Sequence, residues 1–280
     1  MNANRRNFLK LSGIGMAAVV LPGVVRSEPV QAKKNGSIPV RLGLASYTLR
    51  KMNLDDTLAI CQKLDFKHIS LKDFHLKLNA TDAEIAEAVK KCKDAGVEIG
   101  SGGVIYMKSE AEVDAAFEYA RKAGMNMIIG VPQHEMLPYA EKKVKEYDIR
   151  LAIHNHGPTD KVYPSCESAY VLIKNMDKRM GLCLDIGHTQ RIQRDPSADL
   201  KDYFDRILEI HMKDVTTSDS EGKAIEIGRG VIDIPGFLKT VVKMKFSGIL
   251  SFEYEKDDKD PVIGLAESLG YVKGVLAVIN

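Results

Sequence analysis

Cysteine is scarce in this chain. The four present, Cys61, Cys92, Cys166 and Cys183, lack the close spacing of a structural metal site and read as core thiols. Gly/Ser linkers and low-complexity tracts are missing from the body, so nothing in composition divides it, and no second long apolar span is evident. No Gly-x-Gly-x-x-Gly follows the first predicted strand, which argues against an open, doubly wound dinucleotide-binding sheet. Surplus charge is lacking as well. There are 40 basic and 38 acidic residues, but Arg5, Arg6, Lys10 and Arg26 all precede Ser27, in a stretch without acids. Setting them aside leaves 36 against 38, so the body has no electrostatic reason to engage nucleic acid.

The N-terminal segment MNANRRNFLK places Arg5 and Arg6 ahead of Phe8, Leu9 and Lys10. A moderately apolar stretch follows over 11–25, broken by Gly13, Gly15, Pro22 and Gly23. At roughly 15 residues it is short for the ~20 that a spanning helix needs. It resembles a twin-arginine export signal. That resemblance implies a periplasmic protein with no stable membrane anchor, a signal and leader over 1–30, cleavage within 27–32, and a folded domain over 38–280.

In the body, short apolar runs alternate with longer amphipathic ones. Strands are predicted at 41–45, 68–71, 98–101, 127–131, 150–154, 181–185, 207–211 and 248–253. Helices are predicted at 54–64, 82–95, 110–123, 137–147 and 234–243, several behind a capping Asp, Thr or Ser. KKCKDAG and ARKAG each end in a basic turn and a terminating glycine. Eight strands whose starts are 23 to 41 residues apart predict an α/β fold, a closed (β/α)8 TIM barrel. The stretch DVTTSDSEG, after the seventh strand, reads as an extended loop at the catalytic end.

Four apolar strands end in residues that are costly to bury alone: LAIHNHG at His154 and His156, GLCLDIGH at Asp185 and His188, EIHMKD at His211, and SFEYE at Glu253 and Glu255. Strand alternation puts Ala152, His154 and His156 on one side, pairs His211 with Lys213, and aligns Ser251, Glu253 and Glu255. A lone histidine there is more simply a cap or a hydrogen-bonding residue. Four such ends converging at one rim would instead hold a divalent ion through His154, Asp185, His211 and Glu253. That oxygen and nitrogen donor set suits manganese, cobalt, zinc or magnesium. His156 is as suited to touching substrate as metal, and His188 either faces the ligand or caps the next helix.

From Leu42 onward the chain resembles the xylose isomerase-like barrel superfamily. Within it, the sugar phosphate isomerase/epimerase group, with its ketose 3-epimerases and inosose dehydratases, fits best. The resemblance is carried by HNH at 154–156, LDIGH at 184–188, HMKD at 211–214, IGRGVIDIPGF at 227–237 and SFEYE at 251–255. In the epimerases, Glu, Asp, His and Glu from strands five to eight hold the ion. The last three match Asp185, His211 and Glu253, whereas His154 stands where the fifth-strand glutamate is expected. Two-glutamate proton exchange is therefore not implied here, and Asp160 is the nearest substitute acid.

The resemblance implies a metal-dependent isomerase, epimerase or lyase acting on a keto sugar or cyclitol. The ion would polarise the carbonyl; Glu253, His156 or His188 would remove the adjacent proton, and Lys213 would balance negative charge. Lys72 with Asp73, His75, His134 with Glu135, Arg229 and Glu255 are further candidates for substrate contact, although a salt bridge within its own loop explains Arg229 equally well. Tyr47 and Tyr106 suit either sugar stacking or rim packing. A non-catalytic sugar-binding barrel and a metal-dependent phosphoester hydrolase are the alternatives, and homo-oligomerisation is open.

Overall fold

The strands begin where β-branched and aliphatic runs begin. They are β1 (Arg41–Ala45), β2 (His68–Leu71), β3 (Glu98–Met107), β4 (Met127–Pro132), β5 (Arg150–His154), β6 (Met180–Asp185), β7 (Ile207–Met212), the short β8 (Asp214–Val215) and β9 (Ala224–Ile225), and β10 (Ile249–Phe252). In this computed structural model, which describes residues 40–279, eight of them close into a parallel barrel in the order β1-β10-β7-β6-β5-β4-β3-β2. The predicted TIM barrel is the fold. The predicted export signal lies outside the described residues.

Alternation sorts side chains into two cores. Leu44, Ile69, Ile128, Leu151, Leu182, Ile210 and Leu250 point outward into the helical layer and are essentially inaccessible. At roughly 1.5–3 kcal/mol for each fully buried aliphatic side chain, this outer core carries most of the stability. Inside the barrel, Met127, Ile129, Ala152 and Cys183 form a small apolar plug. Beside it Glu209 is buried, hydrogen-bonded by Ser101 at 3.0 Å and Ser251 at 2.5 Å.

The helices start where capping residues allow. Asn53 caps α1 (Leu54–Leu64), Thr81 and Glu84 form a reciprocal box at α2 (Asp82–Asp94), and Ser109 caps α3 (Glu110–Lys122). α4 (Leu137–Tyr147) has Pro138 in its first turn, and α5 (Cys166–Ile173) is capped by Ser165. Gly96 and Gly124, at φ +69° and +67°, follow α2 and α3 as the two glycine-ended segments predict. Four helices lie outside the ranges predicted from the sequence: α5 itself, α6 (Ile186–Arg191), α7 (Pro196–Asp202) and the C-terminal α9 (Pro261–Ile279). α8 (Ile234–Lys243) matches its prediction and is capped by Asp233.

Three details depart from the sequence reading. β3 continues past Gly102-Gly103 to Met107, with a register shift against β4 between Gly102 and Ile105. Gly103 lies at φ +148°, where a β-carbon would collide with the Ile129 carbonyl, and the glycine pair is a bulge rather than a strand end. The polar loop after β7 is organised by the antiparallel pair β8–β9. Finally α9 (Pro261–Ile279) is, by length and composition alone, apolar enough to cross a membrane, with a mean hydropathy of 1.7. Its Leu265, Leu269, Val272 and Leu276 are buried, as in a helix of a barrel's outer layer.

Candidate metal centre

β5, β6 and β7 bring their C-terminal residues to one level. His154 pairs in register with Cys183, and Asp185 with His211. Glu253 follows β10 immediately and stays in line because its N–H donates to the Met212 carbonyl at 3.0 Å. One ligand atom from each of His154, Asp185, His211 and Glu253 lies within 4.8 Å of the others, and all four side chains are buried. His154 Nε2 is 3.1 Å from His211 Nδ1 and 3.6 Å from Asp185 Oδ2, while His211 Nδ1 is 3.2 Å from Glu253 Oε2.

Asp185 is held for this task. Its Oδ1 accepts from the His188 N–H at 2.8 Å, capping α6, and its own N–H donates to Asn155 Oδ1 at 2.9 Å. Its Oδ2 is left facing inward with no well-directed hydrogen bond. His154 Nδ1, His188 Nδ1 and His211 Nε2 are also buried without partners. Buried polar atoms are normally satisfied, and of these Asp185 Oδ2 is the one that lies at the converging point, where a cation would satisfy it. Two imidazoles and two carboxylates around one point form a candidate divalent-metal site, and the donor set fits such an ion.

Lys213 crosses this cluster from β7. Its Nζ lies 3.1 Å from Asp185 Oδ2, 3.0 Å from Glu253 Oε2 and 2.8 Å from Glu255 Oε1. Burial opposes its charge, but these three carboxylates hold its pKa well above the ordinary lysine value. Burial would likewise raise Asp185 and Glu253; Lys213, with His188 beside one and His211 beside the other, keeps both well below the usual carboxylate range. His154 moves the other way, since burial lowers it to about 4 and leaves a neutral imidazole at pH 7. For His211 burial also opposes charge, yet Cys183 and Glu253 raise it well above its ordinary value. Glu253 is the charged member of that pair, because burial keeps the Cys183 thiol up at about 11.

Above the cluster a cavity of about 280 Å³ has His154 and Glu253 in its wall together with Tyr47, Lys72, Tyr106, His156, His188 and Glu255. His156 stacks on Tyr106 with centroids 5.8 Å apart and the planes 23° from parallel. Its Nδ1 is 3.9 Å from Asp160 Oδ2, while Asp160 Oδ1 accepts the N–H groups of Val162 and Tyr163 at 2.7 Å. His188 sits 5.7 Å from the His156 ring, and burial lowers its pKa to about 3.

Three sequence candidates are placed elsewhere. His75 turns away from the cavity and is buried against Ser46 Oγ and Thr57 Oγ1, both at 3.0 Å. His134 lies over Tyr163 and bonds the Val162 carbonyl at 2.9 Å. Arg229 pairs with Glu267 of α9 at the surface, so the salt-bridge reading holds for it. Each has its polar atoms engaged locally, which sequence spacing cannot reveal. Conversely, Asn155, Cys183 and Glu209 were not singled out. Alternation along β7 offered a signal for Glu209, since it shares a face with His211 and Lys213; its Oε1 lies 3.9 Å from His211 Nε2.

Residues 133–275 match the xylose isomerase-like TIM barrel family. The rhizopine catabolism protein MocC of Rhizobium meliloti is 28% identical over 131 residues, which are 41% of this chain and 40% of that protein. The chain thus aligns with about two fifths of this curated relative's length. Among solved structures, an uncharacterized protein from Parabacteroides distasonis shares 27% identity at a TM-score of 0.68, covering 84% of this chain and 99% of that one. The 3-keto-D-glucoside 4-epimerase YcjR of E. coli shares 12% identity at a TM-score of 0.69, covering 84% and 99%. The matched segment spans half the chain and contains all four converging side chains, and the protein belongs to the xylose isomerase-like TIM barrel family.

Proposed function

We propose that the protein is a metal-dependent isomerase or epimerase of keto sugars, with elimination as the related outcome when a leaving group lies β to the carbonyl. One observation carries the reading: His154 Nε2, Asp185 Oδ2, His211 Nδ1 and Glu253 Oε2 converge beside a cavity, with buried polar atoms unsatisfied around them. These residues would hold a divalent ion, which when bound would supply Lewis acidity toward a carbonyl and its neighbouring C–H. His154, neutral because it is buried, would hold the ion where the family's epimerases place a glutamate. Glu253 is an anion at the cavity wall and serves as one proton acceptor. His156 is the second, because it is the partly exposed imidazole in the cavity and Asp160 stands behind its Nδ1. Lys213, 3.1 Å from Asp185 Oδ2 and 3.0 Å from Glu253 Oε2, balances the negative charge that develops on the substrate once its proton has passed to the acceptor. The name of the E. coli structural relative, a 3-keto-D-glucoside 4-epimerase, supports a keto-sugar substrate.

The test is incubation of metal-loaded protein with 2-keto and 3-keto sugars in deuterated water. Solvent deuterium in recovered sugar supports the reading, and an unsaturated product identifies elimination. Absence of both with every keto sugar, from protein shown to hold its ion, refutes it. The Arg5-Arg6 segment further supports export to the periplasm. Replacing both arginines by lysine should retain the protein in the cytoplasm, and unchanged fractionation would refute export.

A further inference from the structure

A second cavity, of about 210 Å³, adjoins the first and shares Lys72, Val104 and Tyr106 with it. It lies at the C-terminal ends of β2 and β3 and adds Asp73, Leu78 and Tyr119 to the lining. The β3 bulge builds this wall, by carrying the strand onward from Gly103 to the tyrosine that both cavities share. Either cavity alone falls below the ~300–1,000 Å³ usual for a ligand site, whereas the two together fall inside that range.

Their chemistry is that of uncharged sugar. Tyr106, shared by both cavities, and Leu78, in the second, remain 49% and 39% exposed. Apolar faces of this kind suit the C–H face of a pyranose ring. Lys72 is the one cation lining either cavity among the described residues, and its Nζ already donates to the Val104 carbonyl at 2.5 Å. Asp73 lines the second cavity and Glu253 and Glu255 the first, so a phosphate dianion in either would meet carboxylate and one engaged lysine. Carboxylates are instead good acceptors for sugar hydroxyls.

We propose that the second cavity is a subsite for the non-reacting ring of an uncharged keto-disaccharide, whose keto ring occupies the first cavity. This rests on the keto-sugar reading above and names its substrate class. Contact with a remote ring gives binding energy that orients the reacting one.

The test uses manganese-loaded full-length protein and three probes: 3-keto-cellobiose with the carbonyl in its non-reducing ring, methyl 3-keto-β-glucoside, and 3-keto-glucose 6-phosphate. Calorimetry should give the disaccharide a Kd at least ~10-fold below that of the methyl glycoside, a difference of about 1.4 kcal/mol, with the phosphate weakest. Leu78→Trp, which fills the second cavity, should erase the disaccharide's advantage and leave methyl glycoside binding unchanged. Asp73→Asn should reduce that advantage in the same selective way if the tryptophan disturbs folding. Equal affinities, or tightest binding of the phosphate, would overturn the subsite. So would a Leu78→Trp effect shared by both neutral sugars in a protein with unaltered circular dichroism. Selective disaccharide binding without deuterium exchange would refute the reaction and leave the subsite standing.

Discussion

Glu253 lies 3.2 Å from His211 Nδ1 and 3.0 Å from Lys213 Nζ, so its charge matters both to the cluster and to any proton it accepts. Glu253→Gln keeps the volume and removes the charge; solvent deuterium exchange should fall by about 10³-fold, within the range for loss of a general base. Near-normal exchange would exclude Glu253 from proton transfer. His156→Ala and His188→Ala divide the second role: exchange should drop about 10²-fold or more for His156 and much less for His188. The same residues set a pH dependence. Burial depresses His154 to about 4 and His188 to about 3, below the ordinary 6.5, so their neutral forms belong to the folded state. Each contributes stability that is complete above 6.5 and is lost as pH falls through the folded value. Asp185 and Glu253, also depressed, add to the loss only below their ordinary values of 3.8 and 4.5. His211, which is raised, opposes it by losing its contribution as pH rises above 6.5, one imidazole against two. Metal-free protein should therefore melt at a lower temperature at pH 5 than at pH 7.5, and an equal or higher melting temperature would contradict these burials.

Among the elements, regular ones were legible and irregular ones were not. β1, β2, β5, α1, α4 and α8 coincide with their predictions because apolar period and start signals agree there, a capping side chain for α1 and α8 and Pro138 in the first turn for α4. A helix after Asp185 is anticipated in the sequence, but its cap is Asp185 rather than His188, because Asp185 has two tasks. One oxygen caps the helix through the His188 N–H while the other faces the cluster, and the sequence displays only the second. The loop after β7 was read as extended because its organisation is tertiary. Asp214 is buried and accepts from the N–H groups of Val215, Gly228, Gly230 and Ile232 at 2.9 to 3.2 Å. Asp214→Ala leaves those donors unpaired and should lower stability by about 1–3 kcal/mol. Urea midpoints measure this, and limited proteolysis should cut first within 216–232. An unchanged midpoint would show that the loop is held by other contacts.

For the whole molecule, the barrel and its rim were readable because eight strand ends follow one rule: alternate inward residues become accessible at the C-terminal edge. Which polar residues reach the shared centre was not readable. His75 and Arg229 have the same composition signal as His156 and Lys213, and only folding shows that Ser46, Thr57 and Glu267 engage them first. A bound ion should stabilise the entire barrel, since the four donors come from four different strands or strand ends. At 100 times its Kd, an ion adds about 2.7 kcal/mol, and chelation should lower the melting temperature by roughly 5–10 °C for a domain of this size. The most direct test is anomalous diffraction from crystals grown with manganese, backed by metal analysis of the same protein. One ion per chain, within bonding distance of His154 Nε2, Asp185 Oδ2, His211 Nδ1 and Glu253 Oε2, is expected. A peak elsewhere, or those four side chains unchanged around Lys213 at saturating metal, would contradict it.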